Sequence, residues 1–252
     1  MKDVTLLVGH GSRDSDGNRE FMEFAELVKE AMPDREIETC FLELANPNIP
    51  TGISQCIERG ATRINVLPLI LLAASHVKQE IPEFIDKARE QYPGIEFVYG
   101  RNVGMHERII NLLADRFCEV VEAKSDDSAK DTAVVLMGRG SSDSDANGNL
   151  YKISRLLWER LHVKTVEVCF SGITYPSLPD GVERAVRLCA KRIIVVPYFL
   201  FTGVLMKRMS GMLDELKQKY PNHNLQMAHH FGMHDDLVKA VVDRIREMDE
   251  MK

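Results

Sequence analysis

Apolar residues in this chain follow two alternating spacings. Short runs rich in β-branched residues occupy residues 4–8, 36–42, 63–69 and 95–99, and each reads as a strand. Longer stretches between them repeat their apolar positions every three or four residues. Residues 14–31 place Phe21, Phe24, Ala25 and Val28 on one helical face. Residues 47–59 predict a helix with proline near its start, 77–92 a helix that Pro82 kinks or restarts, and 106–121 a fourth. The apolar residues 70–74 extend the third strand. Four strand–helix units in succession predict a parallel sheet with helices on both faces.

The pattern then repeats. A shift of 129 positions lays Val8-Gly9-His10-Gly11-Ser12 on Met137-Gly138-Arg139-Gly140-Ser141, and Asp14, Asp16 and Asn18 on Asp143, Asp145 and Asn147. It also pairs Cys40-Phe41 with Cys169-Phe170, Pro47 with Pro176, Gly52 with Gly181, Pro68 with Pro197 and Lys78 with Lys207. Strands are expected near 133–137, 165–170, 192–198 and 224–228. One residue is lost near Tyr220-Pro221, after which Gly104-Met105-His106 meets Gly232-Met233-His234. The polar segment 122–131 reads as a linker. The expected fold is α/β: two tandem domains, 1–123 and 124–252, each a mostly parallel four-stranded sheet with helices on both faces.

Bulk properties narrow the function. A chain of 252 residues with 44% hydrophobic content suffices for two cores. A net charge of −6 argues against general nucleic-acid binding. No apolar run reaches the ~18 residues of a membrane span, and the first residues enter a strand without a signal-peptide pattern. The five cysteines form no C-x-x-C pair; buried, reduced thiols and a cytoplasmic location are expected.

The two copies differ most informatively at three positions. His10 faces Arg139, Glu43 faces Gly172, and His76 faces Leu205. His10 follows the first strand, Glu43 ends the second, and His76 lies past the third, so all three belong to one edge of the sheet. Strands lie about 4.8 Å apart, which lets such residues converge. Two imidazoles and a carboxylate suit a divalent transition metal, or proton transfer near neutral pH. Taken singly, each has a plainer reading: a turn histidine, a solvated strand-end acid, a helix-capping histidine. The joint pattern, missing from the twin, favours a site.

Other residues divide the same way. His106 and His234 are kept in both halves, so a structural role is expected. His223, His229 and His230 are expected to be solvated. The turns Gly9-His10-Gly11-Ser12 and Gly138-Arg139-Gly140-Ser141 can present backbone N–H groups to an anion, yet neither matches a nucleotide-binding pattern. Arg13, Arg101 and Arg139 stand near these edges and suit carboxylates. Met206, Met209 and Met212 read as core, or as a soft wall for a large flat ligand.

Val8-Gly9-His10-Gly11-Ser12-Arg13, then Phe41-Leu42-Glu43-Leu44, then Pro68 through Ser75-His76, resembles the class II chelatases of the sirohydrochlorin type. Gly138-Arg139-Gly140-Ser141 and Tyr198-Phe199-Leu200-Phe201 look like the second half of their long, two-domain form. The resemblance covers nearly the whole chain. It implies two flavodoxin-like domains and ATP-independent insertion of Co²⁺ or Fe²⁺ into sirohydrochlorin, with cobalt favoured by the long form. No permanently bound cofactor, a monomer or homodimer, and no nucleic-acid or membrane partner are expected. His10, His76 and Glu43 become the catalytic and metal-binding residues, and Ser12, Arg13, Arg139 and Ser141 the substrate-binding candidates. Competing expectations are a non-catalytic metal or tetrapyrrole carrier and, more remotely, a histidine-dependent phosphoryl-transfer enzyme.

Overall fold

The computed structural model describes residues 2–72, 74, 76–121 and 127–251, without the side chains of His76, Val77, Asp127 and Ser128. Strands β1 (Asp3–Gly9), β2 (Glu36–Phe41), β3 (Arg63–Pro68) and β4 (Glu96–Tyr99) form a parallel sheet in the order β2-β1-β3-β4. Strands β5 (Thr132–Gly138), β6 (Thr165–Phe170), β7 (Arg192–Pro197) and β8 (Asn224–Met227) form a second, in the order β6-β5-β7-β8. The first sheet is interleaved with helices α1 (Ser15–Ala31), α2 (Ile49–Glu58), α3 (Ile81–Gln91) and α4 (Glu107–Val120). The short α5 (Asp127–Lys130) precedes α6 (Ser144–Leu161), α7 (Leu178–Arg187), α8 (Val204–Lys219) and α9 (Asp235–Asp249). The expected α/β architecture of two parallel four-stranded sheets is present.

Local chemistry sets the helix ends. Asp14 caps α1 by accepting the Asp16 N–H at 3.1 Å, and α1 stops at Met32, before Pro33. Asn48 caps α2 by accepting the Thr51 N–H at 3.0 Å, with Pro50 in the first turn where no N–H is needed. Alternate residues Val4, Leu6 and Val8 of β1 join Ile53, Ile85 and Phe97 in one fully enclosed cluster. Ala133, Val135 and Met137 of β5 do the same with Val182, Leu213 and Leu225.

Two expectations are corrected. The third strand ends at Pro68, not at 74: proline has no N–H to continue the ladder, and 70–72 run as a loop. The helix expected over 77–92 is divided into a π-helical turn, His76–Glu80, and α3. Pro82 sits in the first turn of α3 and cannot donate to the carbonyl four residues back, so a regular ladder cannot pass through it. The matched residue in the other half is Gly211, and α8 runs unbroken. Within the expected linker, 127–130 forms α5, and 122–126 lie outside the described residues.

The described residues gather into two compact units: Met1–His106 with Met233–Lys252, and Glu107–Gly232. The sequence repeat is drawn at 123/124, whereas packing assigns α9 to the unit of the first sheet and α4 to that of the second. In its unit α9 packs on β3 and α1, and in its own α4 packs on α6 and β7. Among the described residues no helix is long and apolar enough to cross a membrane.

Candidate active site

In the first unit the chain leaves β1 for β2 on one side, then crosses to β3 on the other. Open parallel sheets bind ligands beyond the carboxyl ends of their strands at such a reversal. His10 leaves β1 there, and Glu43 lies two residues past β2.

Backbone pairing brings these two together. The Leu42 N–H donates to Gly9 O at 2.8 Å, and the Glu43 N–H to His10 O at 3.1 Å. Gly11 has φ +86°, and a Cβ there would collide with the Glu43 carbonyl oxygen. Only glycine lets the β1 turn lie this close to the β2 loop. His10 Nδ1 then stands 3.6 Å from Glu43 Oε1. The same Nδ1 is 3.2 Å from Gly11 O. A proton on Nδ1 would donate to that carbonyl and leave Nε2 as a lone pair for a metal or a proton. The His10 side chain is 26% exposed and that of Glu43 44%, so the pair is open to exchange rather than sealed like a structural metal site. His76 begins the π-helical turn that follows β3; its side chain lies outside the described residues.

The second unit keeps the scaffold without the two histidines and the acid. Gly140 has φ +87°, a Cβ on it would collide with the Gly172 carbonyl oxygen, and Ser171 N–H donates to Gly138 O at 2.8 Å. Arg139, Gly172 and Leu205 occupy the matched positions.

The remaining candidates separate by their bonds. Ser12 Oγ accepts the Asp14 N–H at 3.0 Å, and the Ser12 N–H donates to Asn18 Oδ1 at 2.9 Å. Ser141, Asp143 and Asn147 repeat this at 3.0 and 3.0 Å. Both serine hydroxyls thus hold their turns. Arg13 and Arg139 are exposed beside them. Arg101 is paired with Glu247 at 3.1 Å. His234 caps α9, its Nδ1 accepting the Asp236 N–H at 3.2 Å, and His106 Nε2 lies 3.5 Å from Asp243 Oδ2. The structural reading of those two histidines agrees with these contacts.

Of the three histidines expected to be solvated near the C-terminus, His229 is exposed and His223 partly so, and only His230 is corrected. His230 is buried and stacks on His229 with ring centroids 4.1 Å apart, and His223 Nδ1 lies 2.7 Å from Ala190 O. Phe231 and Gly232 bond back to Phe199 and Leu200, which draws His230 inward. Met209 is buried in the second core, and Met206 and Met212 pack against it. The buried thiols of Cys40 and Cys169 are pushed well above the usual range by desolvation, and that of Cys56 up to about 12 by burial and then Glu38. Such thiols are inert. Arg208 escaped notice because residues 205–212 stand out for their methionines; the 129-residue shift places it on Gln79.

The CbiX family model matches residues 4–120 and again 133–248, once per copy. The chain is 46% identical to the sirohydrochlorin cobaltochelatase of Priestia megaterium, over 98% of this chain and 80% of that one. It is 39% identical to the sirohydrochlorin ferrochelatase of the same organism, over 98% and 90%. The solved structure of SirB from Bacillus subtilis with Fe³⁺ superimposes with a TM-score of 0.86 at 35% identity, covering 98% of this chain and 96% of that one.

Proposed function

Since the chain belongs to the CbiX family and is a sirohydrochlorin chelatase, we propose that its metal is Co²⁺ and that His10, His76 and Glu43 carry the insertion. The His10–Glu43 pair, open to solvent at the carboxyl edge of the first sheet, carries the site assignment. The higher identity to the cobalt enzyme than to the iron enzyme, 46% against 39%, supports cobalt.

The chemistry is a metal-for-proton exchange. A free-base tetrapyrrole releases two pyrrole N–H protons as a divalent ion enters. His10 Nε2 and His76 hold the incoming ion from one face of the macrocycle. As the metal–pyrrole bonds form, an imidazole that releases the ion takes one of the protons, and solvent takes the other. Glu43 orients the His10 ring and offsets the charge it gains. The ion arrives already divalent and no electron is transferred, so a redox partner has no step to serve. Arg13 and Arg139 meet substrate carboxylates at the rims of their turns, while Ser12 and Ser141 shape those turns. Cys40, Cys56 and Cys169, buried and inert, suit a reducing cytoplasm, whereas Cys118 and Cys189 are exposed, against the expectation of buried thiols.

The test is anaerobic incubation of protein and sirohydrochlorin with Co²⁺, Fe²⁺ or Ni²⁺, followed by absorbance. Co²⁺ is expected to give the largest kcat/KM, and His10→Ala to lose at least about 10²-fold. Faster turnover with Fe²⁺ would reassign the metal. A wild-type rate no greater than the protein-free rate would make the protein a carrier.

A further inference from the structure

Where the first unit keeps its acid and histidines, the second keeps a cavity. It has a volume of about 220 Å³ and lies beyond the end of β6, walled by Ser171, Gly172, Ile173, Tyr175, Arg208 and Met212 among others. A Cβ on Gly172 would meet no atom within 4 Å, so the acid missing there leaves open space. The wall residues can be compared with their counterparts at a shift of 129. Gly172 stands for Glu43, Arg208 for Gln79, Met209 for Glu80 and Met212 for Glu83. Three carboxylates and an amide in one copy are a guanidinium, two thioethers and a glycine in the other. Ile173 and Tyr175 add apolar surface, 69% and 84% exposed. Arg208 is exposed and has no ion pair among the described residues.

The two rims have opposite preferences. Carboxylates at the matched positions favour a divalent cation over a polyanion; a guanidinium set among apolar groups does the reverse. We infer that the cavity of the second half binds the macrocycle, Arg208 pairing one of its carboxylates and Ile173, Tyr175 and Met212 lying against a ring edge. The volume is below the ~300–1,000 Å³ of pockets that enclose a whole small molecule. One substituted ring fits, which makes the cavity a subsite and not a second catalytic centre. The second copy thereby offers a carboxylate-binding subsite at the position where the first carries its acid. The inference rests on the chelatase reading.

The full-length protein is titrated with metal-free sirohydrochlorin by fluorescence, and its insertion kinetics are measured with Co²⁺. Arg208→Gln, which installs the residue of the first copy, is expected to raise both Kd and KM about tenfold, the scale of one charge-assisted pair. The change in kcat is expected to stay within about twofold. Arg208→Lys recovers part of the loss, and Gly172→Phe, which fills the cavity, raises Kd as well. Binding of Co²⁺ alone is expected to be the same in all three. Kd and KM at wild-type values in both Arg208→Gln and Gly172→Phe would overturn the subsite. A wild type that binds sirohydrochlorin yet inserts no metal would instead overturn the chelatase reading, and the titration would still test the cavity.

Discussion

Gly11 shows how one residue without a side chain sets a site. Its φ of +86° and its approach to the Glu43 carbonyl let the β1 turn and the β2 loop touch, and His10 and Glu43 become neighbours as a result. Gly140 makes the same approach to Gly172 in the other copy. Replacing either by alanine adds left-handed strain of roughly 1–2 kcal/mol and a steric clash on top. Both Gly11→Ala and Gly140→Ala are therefore expected to lower the urea midpoint by similar amounts. Only Gly11→Ala is expected to lower kcat in folded protein, because it alone parts His10 from Glu43. Equal kcat in the two variants would detach the glycine from catalysis.

At the scale of elements, caps and breakers explain where helices begin. The Asp180 carboxylate in the first turn of α7 accepts from Ser177 N at 2.8 Å and Ser177 Oγ at 2.6 Å. Those bonds hold its carboxyl below the usual range. A depressed carboxyl stabilises the fold above its unfolded value, near 3.9, and the benefit disappears as pH falls through its folded value. Asp180→Asn is expected to cost no more than about 0.5 kcal/mol at pH 7 in urea denaturation, because solvent screens the carboxylate. The difference from wild type narrows as pH drops below about 4; a difference that grows in acid would contradict the cap. Pro82 acts the other way, dividing what is a single helix in the second copy and placing a π-helical turn at His76.

At the scale of the molecule, the repeat in sequence and the units of packing differ. Helix α9 buries Leu237, Val241, Ile245 and Met248, and the buried Arg63 of β3 donates to Met248 O at 2.9 Å and to Met251 O at 2.7 Å. Arg35, just before β2, pairs with Asp249 at 2.5 Å. Removing residues 235–252 uncovers a face of the first sheet and leaves the Arg63 charge buried without these acceptors, a loss of several kcal/mol. Hydrogen exchange is expected to show lost protection in β1 and β3, with chelatase activity abolished. Loss confined to β5–β8 would return α9 to the second sheet.

The chain's own pattern was enough for the alternation of strand and helix, the duplication, and the meeting of His10 and Glu43 at one edge of the first sheet, because apolar periodicity and residue type are local properties that survive without coordinates. It was also enough to mark Pro82 as a disturbance. It could not show that β3 stops at Pro68 while its apolar neighbours bury themselves in a loop, since burial without strand pairing looks the same in a one-dimensional pattern. Nor did it show His230 inside the protein or Arg208 beside an open cavity, because both depend on residues distant in sequence. The assignment of α4 and α9 was likewise decided by tertiary packing alone: an amphipathic helix states that one face needs cover, and only the folded chain determines which sheet supplies it.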